Sequence, residues 1–177
     1  MSIQLFRNIG YSLLALLALI LSAQISIPLG VGTVPISAQT LAVLLIGYTL
    51  GAKRGSLVVI AYLILGALDF PVFAEGKFGL EVFKKGSGGF LYGFVLGAGL
   101  VGSLGTMVWK RSFGRSLLAM TLGTVVIVAC GLAQLTYLYD WERALAYGLY
   151  PFIPGAIIKI ILGAAVLPLY YRFVAKS

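Results

Sequence analysis

The sequence predicts an all-α membrane protein, a bundle of six transmembrane helices with both termini in the cytosol. Three observations lead there. Of 177 residues, 60% are hydrophobic and only 10% charged; the apolar residues form long continuous runs; and the basic residues gather in short clusters between those runs. A mean hydropathy of +1.05 lies far outside what a soluble domain can cover with polar side chains. In lipid every backbone polar group needs an internal partner, and the runs lack the period-two alternation of barrel strands, which leaves helices.

In chain order the predicted spans are 9–28, 34–50, 56–73, 88–109, 116–137 and 152–173, in a single domain. Each approximates the ~20 residues that cross ~30 Å of hydrocarbon, with the second and third on the short side. The first follows Arg7, and its Leu21-Ser22-Ala23 can also be read as the end of a cleavable leader. A re-entrant hairpin in place of the second and third spans would leave Lys53 and Arg54 near the bilayer centre with no acid close by, so two full crossings are expected. The segment 74–87 is longer than the other connections, mixed in charge and interrupted by Gly76, Gly79 and Gly86, which predicts an outer lid or a disordered loop.

The fourth span carries Gly89, Gly93 and Gly97 at four-residue intervals, a smooth ridge for close helix packing or for a flat ligand. Cys130 in the fifth reads as a packing residue, since a lone cysteine has neither a disulfide partner nor a metal pair. The sixth opens with Tyr150-Pro151-Phe152-Ile153-Pro154-Gly155, where two prolines and a glycine predict a break and a fresh helix start.

With the N-terminus inside, the cytosolic side receives Arg7, Lys53, Arg54, Lys110, Arg111, Arg115, Arg172 and Lys176 and no acid. The outer loops receive Lys77, Lys84, Lys85 and Arg143 with all five acids. So one-sided a Lys/Arg distribution is the positive-inside signature, and the net charge of +8 reports topology rather than nucleic-acid binding.

Several activities are excluded. The chain has no histidine, and its acids are Asp69, Glu75, Glu81, Asp140 and Glu142, which is too small a stock for a metal centre or a Ser-His pair. No phosphate-binding G-x-x-x-x-G-K-[ST] loop occurs, so ATP-driven work needs partner subunits.

Lys159 is the most informative residue. It lies seven residues into the sixth span, about 10 Å below the outer interface at 1.5 Å per residue. An intramembrane lysine either faces a site in the bundle interior or snorkels to the interface. The helix start above it presents N–H groups and a partial positive charge, an arrangement suited to an anionic ligand. Ala18, Ser22 and Ser26 form a small-residue stripe on the first span, for internal packing or for a partner helix. The many outer aromatics form an interfacial belt, and Phe73, Phe90 and Tyr92 among them are also placed to stack on a ring.

Taken together, Val34-Pro35-Ile36-Ser37-Ala38-Gln39-Thr40-Leu41, Gly51-Ala52-Lys53-Arg54-Gly55, Pro71-Val72-Phe73-Ala74 and Gly88-Gly89-Phe90-Leu91-Tyr92-Gly93-Phe94 resemble the BioY family, the biotin-binding S components of energy-coupling factor (ECF) transporters. The resemblance covers most of the chain in order. It implies the six-helix S-component fold and capture of biotin from the outer side. A membrane enzyme would need a nucleophile and base at one depth, and no such pair is visible, so neither enzymatic activity nor a cofactor is expected. The resemblance also implies a motor built from a transmembrane coupling protein and two ABC-type ATPases, met through a small-residue surface for which Ala15, Ala18 and Ser22 are the candidates.

The family's sixth-helix motif, Pro-Gly-Asp-x-x-Lys, is here Pro154-Gly155-Ala156-Ile157-Ile158-Lys159. The lysine is kept and the aspartate, which would accept N–H bonds from a ureido ring, is replaced by Ala156. Either another acid such as Glu75 supplies that partner, or the pocket reads a different anionic vitamin such as lipoate. The substrate-binding set so nominated is Gln39, Phe73, Glu75, Gly89, Phe90, Tyr92, Gly155, Ala156 and Lys159. A membrane scaffold without a small ligand is the reading from another class, and an unpaired intramembrane Lys159 is what it leaves without a purpose.

Overall fold

The computed structural model describes residues 3–29, 34–106 and 112–173. Helices dominate: α1 (Ile3–Gln24), α2 (Gln39–Leu50), α3 (Ala52–Ala67), the short α4 (Glu81–Lys84), α5 (Gly88–Thr106), α6 (Phe113–Leu138), α7 (Trp141–Gly148) and α8 (Phe152–Phe173). Among them α1, α5, α6 and α8 are long and apolar enough to cross a membrane by themselves. The chain is a membrane-embedded helical protein.

The core forms where α2 and α5 meet α6. Val43, Leu44 and Tyr48 of α2, Leu91, Phe94, Ala98 and Val101 of α5, and Met120, Ile127 and Leu135 of α6 are all buried. The glycine ridge explains the closeness of α5 and α6, because a Cβ on Gly93 would stand 2.9 Å from the Ile127 Cα and one on Gly97 would meet the Ile127 side chain at 2.8 Å. Of the two roles open to that ridge, the structure realises helix packing. By contrast α1 and α8 are peripheral. They turn Leu13, Leu14, Leu17 and Leu21, and Ile157, Ile158, Ile161 and Leu162, outward, which is stable only against hydrocarbon.

Several boundaries depart from the sequence-based spans. Residues 34–38 do not begin a helix: Ile36–Ser37 (β2) pairs antiparallel with Ser26–Ile27 (β1), Ser26 opposite Ser37, and Ala38 N–H donates to the Ile25 carbonyl at 3.0 Å. This small ladder satisfies backbone groups that helix ends would leave open. α3 stops at Ala67, and residues 68–73 run irregularly into a 3₁₀ turn at Ala74–Gly76. The segment 74–87 is ordered by that turn and by α4. An additional amphipathic helix, α7, is capped by Asp140, whose carboxylate accepts from the Arg143 N–H at 2.8 Å. Lys110, Arg111 and Lys176 lie outside the described residues.

Candidate ligand-binding site

Two adjoining cavities sit where α2, α5 and α8 converge beneath the 74–87 segment. One is bordered by Ser37, Gln39, Phe73, Lys77, Ser87 and Phe94. The other is bordered by Leu44, Thr124, Ile127, Ala156 and Lys159. Thr40, Phe90 and Phe152 line both. Phe90 and Phe152 stack with ring centroids 5.5 Å apart and planes 18° apart, so the pair forms the partition. Each cavity has one charged residue among the described residues that line it, Lys77 in the first and Lys159 in the second.

Lys159 is half-buried on the inward side of α8 and donates to the Ser37 carbonyl at 2.5 Å. The β1–β2 ladder holds that carbonyl in place. Among the described residues the ion pairs are Lys77–Glu75, Lys84–Glu81 and Arg143–Asp140, and Lys159 belongs to none of them. The Lys159 cavity therefore keeps a net positive charge in apolar surroundings, where its attraction for an anion is strong.

Gln39, the first residue of α2 and 4% exposed, anchors the neighbouring cavity. Its Nε2 donates to the Tyr62 hydroxyl and its Oε1 accepts from the Ser37 hydroxyl at 2.8 Å. The Tyr62 hydroxyl in turn donates to the Val72 carbonyl at 3.0 Å. Such a satisfied chain rigidifies its members. A primary amide still has one N–H and one acceptor lone pair to spare, enough to meet the polar edge of a heterocycle.

The aromatic walls rest on glycines. Phe73 lies against Gly66 and Phe90 against Gly131, and in both places a Cβ would enter the ring. Phe73 also meets Tyr62 edge-to-face at 5.4 Å. On the 74–87 segment, the hydrogen bond and charge of Lys84 hold the Glu81 carboxyl below its usual value, and Glu81 raises Lys84. Both stay charged at physiological pH.

The structure thus brings Gln39, Phe73, Phe90, Ala156 and Lys159 together around the two cavities. It places the other four nominated residues elsewhere. Gly89 packs on α6 near Cys130 and Gln134, and Tyr92 is 52% exposed on α5 with its ring against Phe83. Glu75 pairs with Lys77 and lines a third cavity under the 74–87 segment, away from Lys159. Gly155 borders neither cavity, and a Cβ on it would stand 3.6 Å from the Ile36 side chain. The free N–H groups expected at the start of α8 are largely taken, because Phe152 and Ile153 both donate to the Leu149 carbonyl and Pro154 has no N–H. On α1, Ala18 is exposed, Ala15 packs against the core, and Ser22 is buried with its hydroxyl donating to the Leu19 carbonyl at 2.7 Å.

Sequence reasoning did not single out Tyr62, Phe152, Lys77 or the Ser37 carbonyl. Tyr62 had a usable signal: a hydroxyl in mid-span must find a partner.

The model of the BioY family matches residues 1–176. A biotin transporter BioY from Thermotoga maritima is 39% identical over 149 residues, covering 84% of this chain and 86% of that protein. One from Rhizobium etli is 36% identical over 146 residues, 78% of each chain. A crystal structure at 2.1 Å of the S-component for biotin from an ECF-type ABC transporter superposes with a TM-score of 0.83 at 26% identity, covering 97% of this chain and 95% of that one. On its sequence, its helical architecture and its matched length, the chain belongs to the BioY family.

Proposed function

We propose that this protein is the substrate-binding subunit of a vitamin importer and that it captures biotin in the paired cavities. The observation that carries the reading is the pairing itself: a positively charged cavity at Lys159 for a carboxylate, separated by the Phe90–Phe152 stack from one bordered by the amide of Gln39 for a polar ring. Relatives named biotin transporters and the superposed S-component for biotin support the same ligand. The protein performs no chemistry on it. ATP hydrolysis falls to two ABC-type ATPases, and a transmembrane coupling protein meets the exposed face of α1 around Ala18.

In this reading six segments cross the plasma membrane with both termini cytosolic. The Arg54 guanidinium donates to Asn8 at 2.9 Å, which puts the start of α1 and the α2–α3 turn at one end, as the charge distribution requires. The 74–87 segment then covers the outer mouth as a lid.

One observation favours a second ligand. Neither cavity has a carboxylate among its described lining residues to accept ureido N–H groups, and lipoate, an anion without them, needs none. Calorimetric titration of the detergent-purified protein with biotin and lipoate in parallel tests the choice. Biotin binding in the nanomolar-to-micromolar range is expected; binding of lipoate alone would transfer the assignment, and binding of neither would refute it.

A further inference from the structure

We propose that Lys77 is the capture cation of the entry path, released from Glu75 by the incoming carboxylate. This rests on the biotin reading above. The third cavity, under the 74–87 segment, and the Lys77 cavity share Lys77, Val82 and Ser87. The Lys77 and Lys159 cavities share Thr40, Phe90 and Phe152. The three spaces therefore adjoin one another in that order, and Lys77 stands where the first two meet. Its side chain is 46% exposed, so it is open to an approaching ligand, while its ammonium is held by Glu75, 29% exposed, at 2.5 Å.

That partner is replaceable. Glu75 has a φ of +62°, a left-handed conformation unfavourable for a residue with a Cβ. A partly exposed ion pair gains little in free energy, so a ligand carboxylate exchanges for it at small cost. Glu75 is then a competitor that keeps Lys77 neutralised until an anion arrives, and Lys159, bonded to a backbone carbonyl, is the final station. Rim charges govern association rates and their salt dependence, whereas buried charges govern dissociation.

The test is the association rate of radiolabelled biotin with the purified protein at low and high salt, with biotinol, its uncharged alcohol, as competitor. Lys77→Gln is expected to slow biotin association by roughly fivefold and flatten its salt dependence, with dissociation changed by less than about twofold. Lys77→Arg retains the rate, and Glu75→Gln raises it about twofold. Biotinol competition is insensitive to all three. An unchanged association rate in Lys77→Gln, or an equal loss for biotinol, overturns the inference and leaves the ligand reading standing. Absence of biotin binding by the unaltered protein overturns both.

Discussion

Lys77 and Lys159 are chemically the same side chain at the borders of adjoining cavities, and they differ in what they are bonded to. Lys77 sits on the 74–87 segment with a carboxylate partner two residues away in the chain. Lys159 sits on a transmembrane helix, and its partner is the Ser37 carbonyl, 122 residues distant in sequence. A carboxylate cancels the charge it meets; a carbonyl only solvates it. The first cation is thus neutralised and accessible, the second still positive and enclosed. A binding path needs that order, with a weak exchangeable contact outside and a strong one inside.

The comparison breaks first at Lys159. Lys159→Ala should weaken biotin binding by about 2 kcal/mol or more, roughly thirtyfold in Kd, because the anion loses its enclosed partner. Calorimetry reads this directly, and circular dichroism should show unchanged helicity. Phe90→Leu removes the stack between the cavities and should cost about 1 kcal/mol of binding, roughly fivefold in Kd, measured in the same titration. Tyr92→Ala sharpens the account as a control: an exposed ring on the far side of α5 should leave Kd within about twofold. Ala18→Leu touches neither cavity and should leave Kd unchanged, while it lowers the amount of coupling protein and ATPases that co-purify with the subunit.

Much of this was legible in the sequence. The long apolar runs marked α1, α5, α6 and α8, because a span of that length in lipid has few alternatives to helix. The β1–β2 ladder was not legible, since two-residue strands are set by the helices that hold them and carry no periodicity of their own. α7 was hidden by its shortness, although Asp140 before Trp141-Glu142-Arg143 is a usable capping signal. At the site, Lys159 stood out by its charge in an apolar run, and Gln39, Phe73 and Phe90 by the stretches that carry the family resemblance. Tyr92 and Gly89 belong to the same stretch as Phe90, yet helical periodicity turns them to other faces. Lys77 looked like one loop charge among several, and no sequence pattern marks the carbonyl of Ser37 as the group that receives Lys159.

The most direct test of the central claim, that Lys159 holds the ligand's carboxylate, is the ratio of biotinol to biotin Kd in the unaltered protein and in Lys159→Ala. The account predicts a strong preference for biotin, of about thirtyfold, that falls nearly to parity in the variant. A variant that binds both ligands more weakly and keeps the same preference would contradict it, and would place the carboxylate against some other group.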